Sequence, residues 1–397
     1  MLLSPPTAIA WSEVLEGSVI MARQGLERVL VVGGGVGGMS TAIQFSERGL
    51  HVDLVEIDPK WRATGAGLTL NGATLRVFER LGVLKEIAEA GDVHGGRKIF
   101  DRWGKQIFEL PARTFDANDI LASGGGILRP DLHRVLATRA RSAGVNVRLG
   151  MTISHLTQDD DCVDVRFSDE SEARYDLVVG ADGITSLVRR LIFPAAEGPK
   201  FTGQGCWRAV FQRPDEVHTT RIYVDRGYKL GLNPVSRDQM YMFLLETAEG
   251  NPWREEAEWV PMLRERMLAF GDLPHRLAYE LSEDSLVNYR PLEVLLLPLP
   301  WHVGRVVLIG DAVHATTPHA GYGAGLSIED GVILGECLSD TANAEKSLQE
   351  YESRRYGRCK MVLEGSLALG RLEMAGASIE EQTAASVALI KGTLAPF

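Results

Sequence analysis

Cysteine is scarce and unpatterned in this 397-residue chain: Cys162, Cys206, Cys337 and Cys359 are its whole complement, and no two stand in a C-x-x-C spacing. That excludes a sequence-encoded zinc site or disulfide framework and points to reduced thiols in a cytoplasmic setting. Basic excess is missing too. With 42 Lys and Arg against 53 Asp and Glu, the formal charge is -11, so neither a nucleic acid nor an anionic membrane is an expected partner. Long hydrophobic runs are also lacking. The most apolar stretch, LEVLLLPLP from Leu292 to Pro300, is too short to span a bilayer and is broken by Pro298 and Pro300. Residues 1–25 have no basic start and carry Glu13 and Glu16 among their apolar residues, which predicts a loose extension rather than a targeting signal. Met21 is an alternative natural start. No repeat or low-complexity tract appears, and the length predicts two joined domains.

What is present is glycine at telling positions. ERVLVV (Glu27 to Val32) is a short apolar run of the kind buried on both faces in a parallel sheet. Gly33, Gly35 and Gly38 follow as G-x-G-x-x-G, then MSTAIQFSER reads as a helix to Arg48 with Gly49 as its stop. HVDLVEI (His51 to Ile57) closes a βαβ unit and ends near Glu56. Such a turn brings backbone N–H groups at a helix N-terminus against a pyrophosphate, and an acid at the end of the second strand accepts hydrogen bonds from a ribose. The motif alone leaves NAD and FAD both open.

Two later segments repeat the strand-then-glycine theme. DLVVGADG (Asp176 to Gly183) runs into a turn holding Asp182 and Gly183, and GRVVLIGD (Gly304 to Asp311) ends in Gly-Asp. AVHATTPHAGYGAGLSIED follows, with a helix expected from about Leu326 to Leu338. With these three fingerprints in this order, the chain resembles the single-component FAD-dependent aromatic hydroxylases, the group that contains p-hydroxybenzoate and salicylate hydroxylases. The resemblance runs from about Glu27 to Arg355.

It implies an α/β fold: a Rossmann-like, glutathione-reductase-like FAD-binding domain with an inserted antiparallel-sheet substrate domain and C-terminal helices. The expected FAD domain is discontinuous (26–70, 117–190 and 286–355), the substrate domain takes 71–116 and 191–285, and 356–397 is a helical tail. The resemblance further implies that Gly33, Gly35 and Gly38 cradle the FAD pyrophosphate, Glu56 the adenosine ribose and Asp311 the ribityl chain. Arg129, Asp182 and Gly183 also reach the cofactor. Pro318, Gly323, Ala324, Gly325 and Leu326 bring a helix N-terminus to the flavin ring, whose reduced anion the helix dipole favours. NADH or NADPH as transient co-substrate, dioxygen, and a flavin C4a-hydroperoxide shielded from water complete the implied chemistry. The substrate is expected to be a small aromatic or heteroaromatic molecule, and the protein a monomer or homodimer. Gly72-Ala73 and Tyr322 depart from the family's usual Pro-Asn and Gln.

RKIFDRWGKQIFEL (Arg97 to Leu110) reads as a hairpin, and Phe201 to Glu246 is strand-rich. Helices are expected over Gly72 to Ala90 and Trp259 to Phe270. Lys229, Gly231 and Asn233 alternate onto one strand face, with Tyr241 on the return strand. By loose alignment with urate and hydroxynicotinate hydroxylases, Lys229 and Tyr241 become the candidate catalytic pair, with Arg208, Tyr223 and Tyr322 as the next choices. His314 and His319 near Asp311 match no metal-ligand spacing, and His314 is expected to be a buried histidine satisfied by backbone. Other readings stay open. An NAD-dependent dehydrogenase explains the first motif only; a flavin halogenase lacks its W-x-W-x-I-P segment here; an epoxidase, a double-bond reductase or a non-catalytic flavin-binding protein shares the FAD fingerprints.

Overall fold

The computed structural model describes residues 26–63, 65–110, 124–252, 254–338 and 343–397. The expected extension over 1–25, the alternative start at Met21 and the boundary at 116/117 lie outside these residues. Four apolar runs pair in parallel as anticipated. The first sheet is ordered His302–Val303, Val306–Leu308, Leu177–Gly180, Arg28–Val32, His51–Glu56 and Asn146–Leu149. Val29 stands opposite both Leu177 and Val52, and all of these core strand residues are buried. The glycine turn leads into helix Val36–Glu47, which packs on helix Gly323–Cys337. Close approach there depends on glycine: a Cβ on Gly331 would lie 2.6 Å from the Thr41 backbone nitrogen.

A seven-stranded sheet covers this domain. Its order is Val287–Val294, Lys200–Gln212, Gln239–Thr247, Tyr228–Pro234, Thr220–Asp225, Arg97–Asp101 and Gln106–Leu110. All neighbours are antiparallel except Thr220–Asp225 and Arg97–Asp101. Strand alternation gives it two faces. Trp207, Ala209, Leu230, Leu232, Met240, Met242 and Leu244 form one core with helices Trp259–Leu268 and Asp272–Ala278. Cys206, Arg208, Lys229, Gly231, Asn233, Tyr241 and Phe243 therefore share the opposite face, which looks back toward the first domain.

Three expected boundaries move. Val287–Val294, expected in the FAD domain, pairs along Lys200–Ala209 and belongs to the covering sheet. The region 72–90 is two helices, Gly72–Arg80 and Leu84–Ala90, broken at Gly82 with φ +71°; Leu75, Val77, Phe78 and Ile87 bury into the first domain's core rather than the second's. The tail begins earlier, because one helix runs unbroken from Ala344 to Met374. A meander over Ile153–Gln158, Val163–Phe167 and Glu172–Tyr175 was not anticipated, although VDVRF alternates as a half-buried strand should. Among the described residues no helix is long and apolar enough to cross a membrane.

The long C-terminal helix is anchored at two points by buried charge. Three turns in, Arg355, wholly buried, donates to Asp330 Oδ1 and Glu329 Oε2, each at 2.7 Å. Near its end Glu373 accepts from Lys229 Nζ at 2.9 Å and meets His319 Nε2 at 3.2 Å. Burial alone would raise the Glu373 pKa, but the Lys229 ammonium and His319 more than offset it and hold the carboxyl at about 2. A depressed acid contributes stability that is complete above its unfolded pKa and is lost as pH falls through the folded one. The window here runs from 4.5 down to about 2. Over it the wild type should lose about 3 kcal/mol at ~1.36 kcal/mol per unit, and Glu373→Gln should show a flatter profile in urea unfolding across these pH values. Equal slopes in the two proteins would show that this ion pair does not hold the helix.

Candidate functional site

The glycines of the first turn have separate reasons. Gly33 takes φ +107°, and a Cβ on it would lie 2.4 Å from the Ala181 carbonyl oxygen. A Cβ on Gly38 would lie 1.9 Å from the Gly33 oxygen. Both are demanded by the chain's own packing. Gly35 is different: its φ of -73° and ψ of -177° suit any residue, and a Cβ there would meet nothing within 4 Å. The missing side chain at Gly35 makes room beside the N-terminus of helix Val36–Glu47, where free N–H groups favour a phosphate.

Glu56 ends its strand beside this turn. Its carboxylate accepts from the Gly34 and Asp58 backbone nitrogens, both at 2.8 Å, which orients it while leaving lone pairs for further donors. Trp61 Nε1 donates to the Gly34 oxygen at 2.9 Å and stiffens the same turn. Asp182 sits in the second motif's turn with Gly183 at φ +77°. Both of its oxygens are engaged at the start of helix Leu187–Ile192, accepting from Ser186 Oγ at 2.5 Å and from Leu187 and Val188 nitrogens at 2.6 and 3.0 Å. Its visible work is helix capping.

Asp311 and Arg129 act on one another electrostatically. Asp311 is open to solvent at its surface, yet burial pushes its carboxyl above the usual range, with His314 and Arg129 pulling the other way. A group both accessible and deeply surrounded lines a cleft rather than the outer surface. Arg129 opens helix Arg129–Ser142; its stem lies where a Cβ on Gly65, at φ +102°, would come within 2.9 Å. Burial lowers its pKa, and Arg208 adds to that effect across the cleft. Pro318 is exposed, and Gly323 and Ala324, partly exposed, open helix Gly323–Cys337 ahead of the buried Gly325 and Leu326.

His314 is indeed buried, but its partner is a side chain rather than backbone: Nε2 lies 2.5 Å from Asp330 Oδ2. Burial opposes its charge, and Asp330 with Cys359 more than reverses this, so its pKa rises well above that of a free histidine. His314, Asp330 and Cys359 lie within ligand reach of one another, but Arg355 already fills the position opposite Asp330. Tyr322 is buried with its hydroxyl on Glu329, where Arg358 also binds. Of the two motif departures, Tyr322 completes the charge cluster, while Asn71, just ahead of Gly72-Ala73, caps the helix that Gly72 begins.

The candidate pair is divided. Lys229 and Tyr241 share the cleft face as expected, but Lys229 stands opposite Leu245 while Tyr241 stands opposite Asn233. That is four residues along the strand, about 13 Å at ~3.3 Å each, and the Lys229 ammonium is held by Glu373. The two cannot address one substrate atom. Tyr241 instead has Arg208 as neighbour: burial raises the pKa of its hydroxyl, and the nearby Arg208 guanidinium pulls the other way. Its ring is pinned beneath strand Gly67–Asn71, since a Cβ on Gly67 would meet it at 2.7 Å. Tyr223 faces the other way, stacked on Phe100 with its hydroxyl on Asp272. Arg208 was legible from alternation along GCWRAVF, which puts it on the face opposite Trp207.

The donor set fits FAD: a pyrophosphate turn opened at Gly35, an oriented acid at Glu56, and Asp311 with Arg129 in the cleft. The family model described as "FAD binding domain" matches residues 27–366. The putative FAD-dependent monooxygenase YetM of Bacillus subtilis is 30% identical over 353 residues, covering 88% of this chain and 95% of that protein. The 6-hydroxynicotinate 3-monooxygenase of Bordetella bronchiseptica is 29% identical over 352 residues, covering 85% and 90%. Among solved structures, Klebsiella pneumoniae HpxO complexed with FAD and uric acid superposes with a TM-score of 0.81 at 22% identity, covering 94% of this chain and 95% of that one. The chain belongs to the FAD-dependent aromatic hydroxylase family and is a flavoprotein monooxygenase.

Proposed function

We propose that this enzyme uses NADH or NADPH and dioxygen to hydroxylate a small aromatic or N-heteroaromatic ring held between the flavin and the covering sheet. The observation that carries the reading is the Arg208–Tyr241 pair on the cleft face, in electrostatic reach of Arg129. The similarity to a 6-hydroxynicotinate 3-monooxygenase supports a heteroaromatic ring. Bound FAD supplies the electron transfer and oxygen activation.

The chain's own groups do the rest. Gly33, Gly35 and Gly38 receive the pyrophosphate, Glu56 the ribose, Asp311 the ribityl chain, and Arg129 and the 318–326 segment the flavin itself. Asp182 and Gly183 shape the neighbouring turn. Arg208 stays cationic throughout the working pH range and favours the anionic form of a ring hydroxyl or lactam. The deprotonated ring is richer in electrons and a better target for an electrophilic oxygen. Tyr241, neutral because burial raises its pKa, orients that oxygen or nitrogen through its hydroxyl. Both lie on the sheet face that looks toward the first domain, where a bound ring and flavin would exclude water.

Two outcomes follow. Purified protein should hold about one FAD per chain; Gly35→Val should abolish binding by filling the pyrophosphate approach, and Asp311→Ala should fold but retain FAD weakly. Absorbance at the flavin bands against protein concentration measures this, and unchanged FAD affinity in both variants would refute these assignments.

For the pocket, Arg208→Met and Tyr241→Phe should keep FAD but weaken substrate binding, by about 2 kcal/mol for the arginine, roughly thirtyfold. Their effects should be non-additive, because they meet at one point. Product formed per NAD(P)H consumed should fall in both, while Lys229→Met should leave that ratio near wild type and lower stability instead. A panel of phenols and N-heterocycles, with mass spectrometry for one added oxygen, identifies the substrate class. Loss of coupling in Lys229→Met alone would return the catalytic role to the lysine.

A further inference from the structure

Outside the groups used above, a buried string of side chains joins the covering sheet to the strand that carries Arg129. Arg213 donates to Asp92 Oδ2, and Asp92 Oδ1 faces His94 Nδ1 at 2.8 Å. His94 Nε2 meets Thr220 Oγ1 at 3.3 Å, Thr220 Oγ1 meets Asn233 Oδ1 at 2.6 Å, and Asn233 Nδ2 donates to the Gly125 carbonyl at 3.0 Å. Thr220 and Asn233 are buried, and the His94 side chain is 9% exposed, so water has little room to supply other partners.

The string admits one consistent set of protons. A carbonyl only accepts, so the Asn233 amide nitrogen faces Gly125 and its oxygen faces Thr220. That oxygen also only accepts, so the single Thr220 hydroxyl proton lies toward Asn233. Thr220 Oγ1 must then accept from His94 Nε2. At the outer end Asp92 is a carboxylate: burial alone would raise its pKa, but His94 and Arg213 more than offset it and hold it below the ordinary range. A carboxylate accepts, so His94 Nδ1 donates as well. An imidazole that donates from both nitrogens is the imidazolium. The charged groups around it are Asp92 and Arg213, with Asp215, His218 and Arg237 lining the surface hollow beyond Asp92, and Arg97 on the strand beside Thr220.

What the string holds is a glycine strand. The His94 backbone nitrogen donates to the Gly124 oxygen at 2.9 Å. A Cβ on Gly126 would lie 2.6 Å from Asn233 Nδ2 and 2.5 Å from the Pro234 oxygen, an approach open only to glycine. Strand Gly124–Leu128 therefore rests directly on the end of strand Tyr228–Pro234, and it runs without a break into Arg129. On the sheet itself Asn233 stands opposite Tyr241. Asn233 thus ties the covering sheet, beside Tyr241, to the arginine of the first domain, whose charge and that of Arg208 oppose one another.

We infer that His94 is a positioning residue that works as an imidazolium: it closes the hydrogen-bond string from Asp92 to the Gly125 carbonyl, which seats Arg129 opposite Arg208 and Tyr241, and loss of its proton at alkaline pH opens that seat. A neutral His94 has one proton for two acceptors, so either Asp92 or Thr220 loses its bond. The effect on hydroxylation rests on the proposed reading of the cleft.

The test is hydrogen exchange of the FAD-loaded protein, followed by mass spectrometry over residues 124–128 from about pH 6 to about pH 9 and corrected for the pH dependence of the intrinsic rate. Wild-type exchange there should speed up by about tenfold across the range. Asp92→Asn is the decisive variant: its amide nitrogen donates to a neutral His94 while its oxygen still accepts from Arg213, so the string closes without the charge. The profile should then reverse, with slow exchange at the alkaline end and faster exchange at the acid end. Thr220→Val should exchange fast at every pH. A flat wild-type profile, or the wild-type profile unchanged in either variant, overturns the inference. Should Asp92→Asn fail to fold, Thr220→Val and His94→Gln decide by the same comparison, both expected to be fast and flat. Product formed per NAD(P)H consumed should fall as wild-type exchange rises and should not fall toward alkaline pH in Asp92→Asn. The expected exchange profiles without that fall would keep the His94 string and refute the proposed role of Arg129 in the cleft; the fall without the exchange profiles would overturn the string.

Discussion

One buried carboxylate holds the cofactor side of this protein in place. Asp330 accepts from the Gly310 backbone nitrogen at 2.8 Å, faces His314 at 2.5 Å and pairs with Arg355 at 2.7 Å. Gly310 itself takes φ +58°, and the next residue is Asp311. The direction in which the third motif's acid enters the cleft is therefore set by an ion cluster on helix Gly323–Cys337 and by an arginine from the C-terminal helix. A charge buried this fully persists only with its partners complete. Glu329 enlarges the cluster by binding Arg355, Arg358 and Tyr322, so three separate stretches of chain are locked by one network.

That locking lets the covering sheet be chemically two-sided. Its outer face is an ordinary core of Trp207, Met242, Leu244 and their neighbours. Its inner face carries Arg208, Tyr241 and Lys229, groups that no close-packed core would tolerate unpaired. Lys229 is neutralised by Glu373 and so ties the sheet to the C-terminal helix. Arg208 lies near Tyr241. Across the cleft Arg129 and Asp311 face them. The same strand alternation that builds the hydrophobic layer thus delivers cations to the face that looks toward the first domain.

Much of this was legible beforehand, and the pattern of what was not has a physical cause. The parallel sheet, the glycine turns, the hairpin over Arg97 to Leu110 and the strands of Phe201 to Glu246 all appear where local rules put them. Gly33 and Gly38 were readable because a positive φ or a forbidden Cβ is a property of the local backbone. The shared face of Lys229 and Asn233 followed from a period of two. The misassigned pieces were of another kind: strand Val287–Val294 was placed with the wrong sheet, helix Gly72–Arg80 with the wrong core, and Lys229 with the wrong partner.

By itself, then, the sequence determined the fold class, the dinucleotide turn and which residues alternate to one face, since these depend on backbone conformation and on residues within a turn or strand of each other. The tertiary structure alone decided which charges meet. Lys229 and Glu373 are 144 residues apart and Arg355 and Asp330 are 25 apart on different helices. Register and helix placement, not spacing, bring them within 3 Å, because an ion pair needs only the two heads to coincide in space and imposes no pattern on the chain between them.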